Sequence, residues 1–458
     1  MSRFVIVLSL ALATAAVAGP LDNAWLKGTT DKDPLSYAPG EEMVFTVEPA
    51  DIEGEIPEGE YSLEWTFSDD FGRRETGCVP LTGEPFVYRA SLDQPGFVRL
   101  QAYVLGPDGK RYNKKFTGDT STPEGRKAMN DFEKKPHHVF FDGGAAVEPD
   151  KLEITPEPAD FDAFWTNQFA RLDLVPIKAD LIETDCPNPK ARRWAIRIDC
   201  AGLRPVTGYL SIPKEADEGK TFPARLETHG YNGDSFLPNK PAWAKDGEIV
   251  LNINAHGLKL PEFGATEADR KALRWEVRSH DKPYAFDPAQ NEDPETAYFN
   301  GMILRVKRAL QYLKTRPEWN GRDLFASGGS QGGLQTIWAA GCGEGVTLAW
   351  ADIPWGCDIQ FNHRNRFDGK TSSNSWYVPW AEAMDYYDIV YFARRIPDSC
   401  RVEIPRAGLG DYTCPPLGMA KLWNNLHPGN KKIRWVQGST HGYTPPAYEG
   451  RDFFREEP

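Results

Sequence analysis

Residues 323–341 of the chain read DLFASGGSQGGLQTIWAAG, and four glycines in this stretch flank the pair Ser330-Gln331. A strand-like apolar segment precedes the glycines and a helix-like segment follows them, so residues 328–332 satisfy the pattern G-x-S-x-G between a strand and a helix. A nucleophile at such a turn has a strained backbone, and glycines at 328 and 332 remove side chains that would clash. The stretch has neither G-K-[ST] nor a correctly spaced G-x-G-x-x-G, which argues against a phosphate-binding loop. We therefore predict that Ser330 is a nucleophile, the alternative being an incidental serine in a glycine-rich loop.

Strand-like and helix-like segments alternate around this stretch, from Ala224 onward. The helix-like segment ETAYFNGMILRVKRALQYLKT repeats apolar residues every four positions, at Met302, Val306 and Leu310, as packing on a sheet requires. The alternation predicts an α/β fold with a mostly parallel sheet covered by helices, in which ligands bind at the carboxyl ends of the strands. Two earlier segments, RRWAIRIDC and TGYLSIP, are predicted as antiparallel strands. The strand-like segments after them are ARLETHG, EIVLNINAHG, DLFASGG, LAWADIPW, RVEIPRAGLGD and IRWVQGSTHG.

A serine hydroxyl is a poor nucleophile unless a base takes its proton, and the chain has eight histidines. His441 lies in STHGY, directly after the last strand-like segment. It is C-terminal to the serine, which is the position of the base in proteins whose nucleophile lies in a G-x-S-x-G turn. His427 precedes a proline near a helix end, which is typical of a surface or capping residue. His229 and His256 end earlier strands and are candidates to line the pocket. We predict His441 as the base.

The imidazole of such a base needs an acidic partner that fixes its tautomer. Asp411 ends the segment RVEIPRAGLGD and completes the order Ser, Asp, His along the chain. Asp352, at the end of the preceding strand, is the alternative. For the oxyanion we predict two backbone donors, the N–H of Gln331 after the nucleophile and the N–H of Tyr231 in THGYNGD.

Length, charge and the first residues narrow the class of protein. With 458 residues the chain is too long for one compact core, which predicts two domains. A formal net charge of -13 without a basic stripe argues against nucleic acid or an anionic membrane surface as partner and favours a neutral substrate. The start MSRFVIVLSLALATAAVAGP has the pattern of a signal peptide over residues 1–18, with an uncleaved anchor as the alternative. We expect a soluble protein without a membrane span, secreted or periplasmic.

The N-terminal third differs from the rest of the chain. Segments such as EEMVFTVEPA, YSLEWTFSDD and GFVRLQAYVLGPDGKRY alternate apolar with polar residues, which predicts an immunoglobulin-like β-sandwich over residues 21–135. Its aromatic residues could form a sugar-binding platform, but burial in the core is the favoured interpretation for Trp65. Prolines and glycines predict a linker over residues 136–159, which leaves residues 160–458 as the catalytic domain.

The cysteines and histidines show no metal-binding pattern. The count of seven cysteines is odd, so at least one is unpaired within the chain. Neither C-x-x-C nor H-x-x-x-H occurs, so we predict no zinc site, and no other metal or cofactor is implied by the residues.

These motifs together resemble the acetyl xylan esterase and cephalosporin C deacetylase family of α/β-hydrolases. The resemblance implies the α/β-hydrolase fold and removal of acetyl groups from xylooligosaccharides and related small esters without a metal. Carried over residue by residue, it implies the same roles for Ser330, His441 and Asp411 and the same oxyanion donors, Tyr231 and Gln331. The resemblance extends from about residue 158 to residue 443 and rests on DFDAFW, HGYNGD, RPEWNGRDLFASGGSQGG, ADIPW, GLGDYTCPP and THGY, in this order.

Two features depart from that family. Where the family usually has an arginine-glycine-glutamine turn, this chain has Ala255-His256-Gly257, and many relatives lack an N-terminal sandwich. Both features bear on subunit contacts, so the sequence leaves open whether the chain forms a homo-oligomer. Two aromatic-rich segments, residues 257–294 and 357–397, are predicted either to form the walls of a sugar site or to pack as a lid. Their aromatic residues are Trp275, Tyr284, Phe286, Phe361, Trp376, Tyr377, Trp380, Tyr386 and Tyr387.

From these observations we predict a secreted serine carboxylester hydrolase that acts on an acetylated carbohydrate, such as xylan-type oligo- or polysaccharide, by way of an acyl-enzyme. One alternative is a serine peptidase of the prolyl oligopeptidase type, although the N-terminal region is too short for a propeller. The other alternative, from a different class, is a catalytically inactive carbohydrate-binding protein.

Overall fold

Two small antiparallel sheets and one large mixed sheet make up the fold. The computed structural model describes residues 19–134, 137–231, 246–277, 285, 287–366, 378, 380–446 and 454–457. The predicted signal peptide, residues 1–18, lies outside these ranges. Among the residues within them, no helix has both the length and the apolar character needed to cross a membrane.

The two small sheets pack face to face, which confirms the predicted β-sandwich. One sheet has the strand order β1-β2-β5 and the other the order β4-β3-β6-β7, with antiparallel pairing throughout. Phe45 of the first sheet and Phe67 of the second are fully buried in one apolar cluster. Trp65 is half-buried and stacks on Phe86, with 5.9 Å between ring centres, so it packs within the sandwich. The strands are β1 Trp25–Thr30, β2 Met43–Ala50, β3 Ser62–Asp69, β4 Arg74–Pro80, β5 Phe86–Ala90, β6 Gly96–Leu105 and β7 Phe140–Val147.

Strand β7 lies in the segment for which the sequence predicts a linker. It pairs with β6 along its whole length, and all eight of its residues are buried. The prediction of a linker over residues 136–159 is therefore wrong for Phe140–Val147. The glycines that indicated a connector serve close packing instead, because a Cβ atom at Gly144 would lie 2.4 Å from the carbonyl oxygen of Val98.

A ten-stranded sheet with the order β17-β16-β15-β14-β13-β11-β12-β10-β9-β8 forms the second part of the fold. Its six central strands, from β16 to β12, run parallel, while β8 to β10 at one edge and β17 at the other are antiparallel. This order confirms the mostly parallel sheet and the two early antiparallel strands. The strands are β8 Ala179–Thr184, β9 Ala191–Ile198, β10 Val206–Pro213, β11 Phe222–Glu227, β12 Ile249–Ile253, β13 Trp319–Gly329, β14 Leu348–Asp352, β15 Arg401–Gly408, β16 Lys431–Val436 and β17 Phe454–Glu457.

Helices α4, α5, α7 and α8 lie side by side along the large sheet. The apolar positions of α4 that the sequence indicates, Met302, Val306 and Leu310, are fully buried. Packing of this stripe removes about 2 to 3 kcal/mol of unfavourable hydration for each large side chain. The helices are α1 Pro123–Glu133, α2 Phe161–Asp173, α3 Glu267–Val277, α4 Tyr298–Lys314, α5 Gln331–Gly341, α6 Ile359–Arg366, α7 Ile389–Ala393 and α8 Pro416–Asn425.

Part of the sandwich packs into the hydrophobic core of the large sheet. Leu35, Phe97 and Ala146 of the sandwich are buried in the same cluster as the strands and helices of the large sheet. The Phe97 ring lies 6.0 Å from the ring of Trp435 in β16. The sandwich therefore packs near the β16 side of the large sheet.

Candidate active site

Ser330 occupies the turn between the end of β13 at Gly329 and the start of α5 at Gln331. Its φ of 57° lies in the left-handed region, which a residue with a Cβ atom rarely adopts. Hydrogen bonds fix the turn, since the Ser330 N–H donates to the Asp352 carbonyl at 2.9 Å and the Ser330 carbonyl accepts from Trp355 at 3.1 Å. The Ser330 side chain makes no capping bond to the helix. The strained strand-to-helix turn predicted from the sequence is present.

The glycines on both sides of Ser330 are required by close packing against the end of β11. A Cβ atom at Gly328 would lie 2.4 Å from Thr228 Oγ1, and one at Gly332 would lie 2.8 Å from the Thr228 carbonyl oxygen. The buried Thr228 hydroxyl hydrogen-bonds to the carbonyl of Gly332 at 2.8 Å and lies 3.2 Å from that of Ser327. This contact ties the turn to the neighbouring strand.

Asp411 and His441 form a hydrogen-bonded pair, with 3.0 Å between Asp411 Oδ2 and His441 Nδ1. Asp411 is fully buried just beyond the end of β15, and its other carboxylate oxygen accepts the N–H groups of Thr413 and Cys414 at 3.0 and 2.9 Å. The His441 side chain is 32% exposed. A fixed carboxylate bonded to a partly open imidazole is the arrangement that sets the tautomer of a general base.

Cys414 connects this pair to the serine, and the sequence motifs assigned it no role. Its Sγ atom lies within 4.8 Å of ligand atoms of both Asp411 and His441, and the Ser330 side chain is near enough to the thiol to act on its pKa. Burial raises the pKa of the Cys414 thiol well above its ordinary value. The predicted nucleophile, acid and base therefore lie around one buried thiol, which occurs three residues after the acid in DYTCPP.

The same three residues, Asp411, Cys414 and His441, form the one group in the described ranges whose donor atoms are close enough to hold a metal ion. Carboxylate, thiolate and imidazole are donors that zinc accepts. Here, however, Asp411 and His441 already hydrogen-bond to each other, and Asp411 also accepts two backbone N–H groups.

The alternative acid, Asp352, has a different partner. Both of its carboxylate oxygens accept from the guanidinium of Arg406, at 3.3 and 3.0 Å. Among the other histidines, His427 is exposed and pairs with Asp398 at 3.0 Å. These contacts favour Asp411 and His441 over the alternatives.

His256 is fully buried and His229 is half-buried beside the turn. The Ala255 N–H donates to His229 Nε2 at 3.0 Å, so this imidazole accepts rather than carries a proton at Nε2, and burial lowers its pKa. His256 hydrogen-bonds through Nδ1 to the Tyr298 hydroxyl, and burial lowers its pKa well below the ordinary value. Both imidazoles are thus kept neutral inside the fold.

The loop with the second predicted oxyanion donor lies against the serine. A Cβ atom at Gly230, next to Tyr231, would be 3.7 Å from Ser330 Cβ and 3.3 Å from the Gly329 carbonyl oxygen. The first predicted donor, the N–H of Gln331, belongs to the first residue of α5, where helical N–H groups have no partner within the helix. Two loops that could donate to an oxyanion therefore meet at Ser330.

The aromatic-rich segments are only partly described. Trp275 on α3 is 70% exposed, whereas Tyr387 is fully buried and Trp380 is half-buried, with its Nε1 donating to Asp385 at 2.7 Å. The Tyr386 hydroxyl donates to Asp160 at 2.5 Å, so Tyr386 packs on α2. Phe361 is half-buried against the core. The residues Tyr284, Phe286, Trp376 and Tyr377 lie outside the described residues.

All seven cysteines are unpaired thiols. Four of them, at positions 342, 357, 400 and 414, are buried. The odd count predicted at least one free thiol, and all seven cysteines are free in the structure.

Comparisons with known proteins find similarity to acetyl esterases. Residues 151–455 match the family model described as acetyl xylan esterase (AXE1), and the sandwich lies outside that match. The chain is 30% identical over 299 residues to the acetyl esterase Axe7A of Xylanibacter ruminicola. This match covers 64% of each protein, so the chain spans less than two thirds of that relative's length.

Two solved structures have the same fold over most of their length. The acetyl xylan esterase from Paenibacillus sp. R4 is 26% identical, with a TM-score of 0.50 over 64% of this chain and 92% of its own. Acetyl xylan esterase 1 from Thermoanaerobacterium sp. JW/SL YS485 is 18% identical, with a TM-score of 0.50 over 66% of this chain and 94% of its own, and supports the fold alone.

Proposed function

Because the chain belongs to the acetyl xylan esterase family, we propose that it is a carboxylic ester hydrolase that removes acetyl groups from acetylated xylan-type carbohydrates. The observation that carries the proposal is the Asp411–His441 hydrogen bond next to the Ser330 turn. This arrangement suits acyl transfer, which needs a nucleophile, a base and a fixed acid at one place.

In the proposed first half-reaction, the Ser330 hydroxyl attacks the acetyl carbon while His441 takes its proton. Asp411 holds the Nδ1–H of His441 and stabilises the imidazolium that forms. The backbone N–H groups of Gln331 and Tyr231 donate to the oxyanion, and each such donor lowers the barrier by about 3 kcal/mol. The tetrahedral intermediate collapses, His441 protonates the departing sugar oxygen, and an acetyl-serine remains.

In the second half-reaction, water takes the place of the sugar. His441 accepts a proton from the water as it attacks the acetyl carbon, and the same donors stabilise the second oxyanion. Acetate leaves, and Ser330 regains its proton from His441. No metal takes part in either half.

The sharpest test measures acetate released from acetylated xylooligosaccharides and from an aryl acetate. We expect release by the wild type and a loss of at least about 10⁴-fold in kcat for Ser330→Ala. Ser91→Ala, at an exposed serine of the sandwich, is the matched control and should keep full activity. Cleavage of proline anilides instead would support a peptidase, and glycan retention without labelling by a fluorophosphonate would support an inactive binding protein.

We also propose that the chain is exported, with residues 1–18 removed as a signal peptide. The support is the basic start, the short apolar stretch and the Ala16-Val17-Ala18 site. N-terminal sequencing of protein from the producing cells should begin at Gly19, and a mature protein that retains Met1 would contradict the proposal.

A further inference from the structure

The segments that carry the proposed acid and base lie directly on the N-terminal sandwich. A Cβ atom at Gly410 would lie 1.9 Å from the carbonyl oxygen of Asp142 in β7, and one at Gly144 would lie 3.1 Å from the carbonyl oxygen of Leu409. Backbone therefore packs on backbone here, immediately before Asp411, and neither side has room for a larger residue.

A side-chain amide bonds the sandwich to the segment before His441. Gln437 accepts the Gly144 N–H at 2.9 Å through Oε1 and donates through Nε2 to the Gly144 carbonyl at 2.8 Å. Both hydrogen bonds are buried, although the two residues are 293 positions apart in the chain. The amide completes the hydrogen bonding of β7 as a neighbouring strand would, and it holds the chain four residues before the base.

A buried ion pair supports the residue next to the acid. Arg99 of β6 donates to both carboxylate oxygens of Asp142, at 2.8 and 2.6 Å, and both residues are less than 9% exposed. The guanidinium of Arg99 lies 3.9 Å from the ring centre of Tyr412, which directly follows Asp411. A planar guanidinium can bind a carboxylate along its edge and an aromatic ring on its face at once, which an ammonium group cannot do.

A third contact reaches the turn after the base. The ring of Phe140 in β7 lies 5.1 Å from the ring of Tyr443, and Tyr443 closes a turn with Thr440 around His441. The acid and the base thus each have a neighbour that is fixed by the sandwich.

We infer that the sandwich is part of the catalytic centre, because Arg99 and Gln437 act as positioning residues that hold Asp411 and His441 in register. The inference rests on the proposed function, since it assumes that this pair activates Ser330. Both residues are buried, so they act through their neighbours and not on the substrate directly. The pair lies on two separate loops, and β6 and β7 contact both loops from outside the region that matches the esterase family.

The test compares two arginine-to-lysine variants in the full chain. Arg99→Lys keeps the charge opposite Asp142 but loses the two-point bond and the stacking on Tyr412. Arg316→Lys is the matched control, because Arg316 also binds a carboxylate in two places, at Glu318, and also lies over a tyrosine ring, at the opposite end of β13 from Ser330.

For Arg99→Lys we expect kcat on an aryl acetate to fall about 10- to 100-fold with KM unchanged, because a misplaced base impairs the chemical step and not the binding of a small ester. The rate at which a fluorophosphonate labels Ser330 should fall by the same factor. Arg316→Lys should leave both quantities at the wild-type value even if its melting temperature falls.

Gln437→Met, which keeps the length of the side chain and removes both hydrogen bonds, provides an independent second variant with the same expected result. The inference would be overturned if folded Arg99→Lys and Gln437→Met had the kcat and the labelling rate of the wild type. It would also be overturned if both variants failed to fold, because the contacts would then serve stability alone. Absence of esterase activity and of labelling in the wild type would instead contradict the proposed function.

Discussion

His441 Nδ1 lies 3.0 Å from Asp411 Oδ2, and the two side chains differ sharply in exposure. The carboxylate is fully buried and bonded at its second oxygen by two backbone N–H groups, so it cannot rotate away. The imidazole is about one-third exposed, so it can reach both a substrate and water. The pair therefore combines a fixed acceptor with an accessible imidazole.

Replacing Asp411 by asparagine keeps the shape of the side chain and removes its charge, so the variant tests whether the carboxylate itself is needed. In Asp411→Asn the side chain keeps its shape but can no longer select the Nδ1–H tautomer, so we expect kcat to fall about 10³- to 10⁴-fold. Asp352→Asn is the control, because Asp352 binds Arg406 and should lose far less activity. An equal loss in both variants, measured with an aryl acetate, would argue against Asp411 as the acid.

A methyl group next to the nucleophile should damage the turn. In Gly328→Ala the new Cβ atom would lie 2.4 Å from Thr228 Oγ1, and relief of that clash should cost about 1 to 3 kcal/mol of unfolding free energy together with most of the activity. The control is Gly429→Ala, where nothing lies within 4 Å of the added atom. Urea unfolding followed by fluorescence measures both, and equal stability of the two variants would contradict the assigned role of Gly328.

Much of the fold could be predicted because its periodicities are local. The four-residue repeat in α4 and the alternation in β3 reflect burial on one face, and this pattern is visible in residues that are close together in the sequence. Strand β7 was not predicted, because its sequence FFDGGAAV is buried on both faces and shows no alternation of apolar and polar residues. Its two adjacent glycines are also typical of a turn.

The site residues could be predicted where they directly follow a strand of the parallel sheet. Ser330, Asp411 and His441 each follow a parallel strand, and the carboxyl ends of parallel strands meet at one edge. Cys414 was missed because a cysteine without a partner motif looks like any small buried residue. The support from Arg99 was not predictable, because the contact with Tyr412 joins segments about 300 residues apart and depends on the docking of two sheets.

Stability should fall in mild acid because the fold lowers the pKa of two histidines, the fully buried His256 and the half-buried His229. Burial lowers the pKa of His256 well below its usual value, nearby cationic groups add to this, and burial also lowers the pKa of His229. A histidine in the unfolded chain has a pKa of about 6.5, so below that pH the unfolded state binds more protons than the folded state. Each of the two histidines should therefore lower the free energy of unfolding by up to about 1.4 kcal/mol for each pH unit below this value. Their contribution is fully present above this pH and is lost as the pH falls.

Urea unfolding of the wild type and of His256→Gln between pH 7.5 and pH 5.5 measures this contribution. We expect a smaller decline in the variant, whatever its stability at pH 7.5, because the glutamine does not titrate. His427→Gln, at an exposed histidine, is the control and should decline as the wild type does. An unchanged slope in His256→Gln would contradict the burial argument.

Metal ions should inhibit this enzyme without being needed by it. We expect full activity after treatment with EDTA, because the proposed reaction uses no metal. Zinc should inhibit reversibly, because Asp411, Cys414 and His441 offer a carboxylate, a thiol that loses its proton on binding zinc, and an imidazole within 4.8 Å, and a metal bound there removes the base. Loss of the thiol in Cys414→Ala should raise the inhibition constant for zinc by at least about 10-fold, whereas Cys400→Ala, at a buried thiol next to β15, should leave it unchanged.

Cobalt gives a second readout, since a thiolate-to-cobalt absorption band should appear in the wild type and be absent in Cys414→Ala. Equal zinc inhibition in the two variants would place the inhibitory ion elsewhere, and a loss of activity with EDTA would mean that the reaction depends on a metal after all.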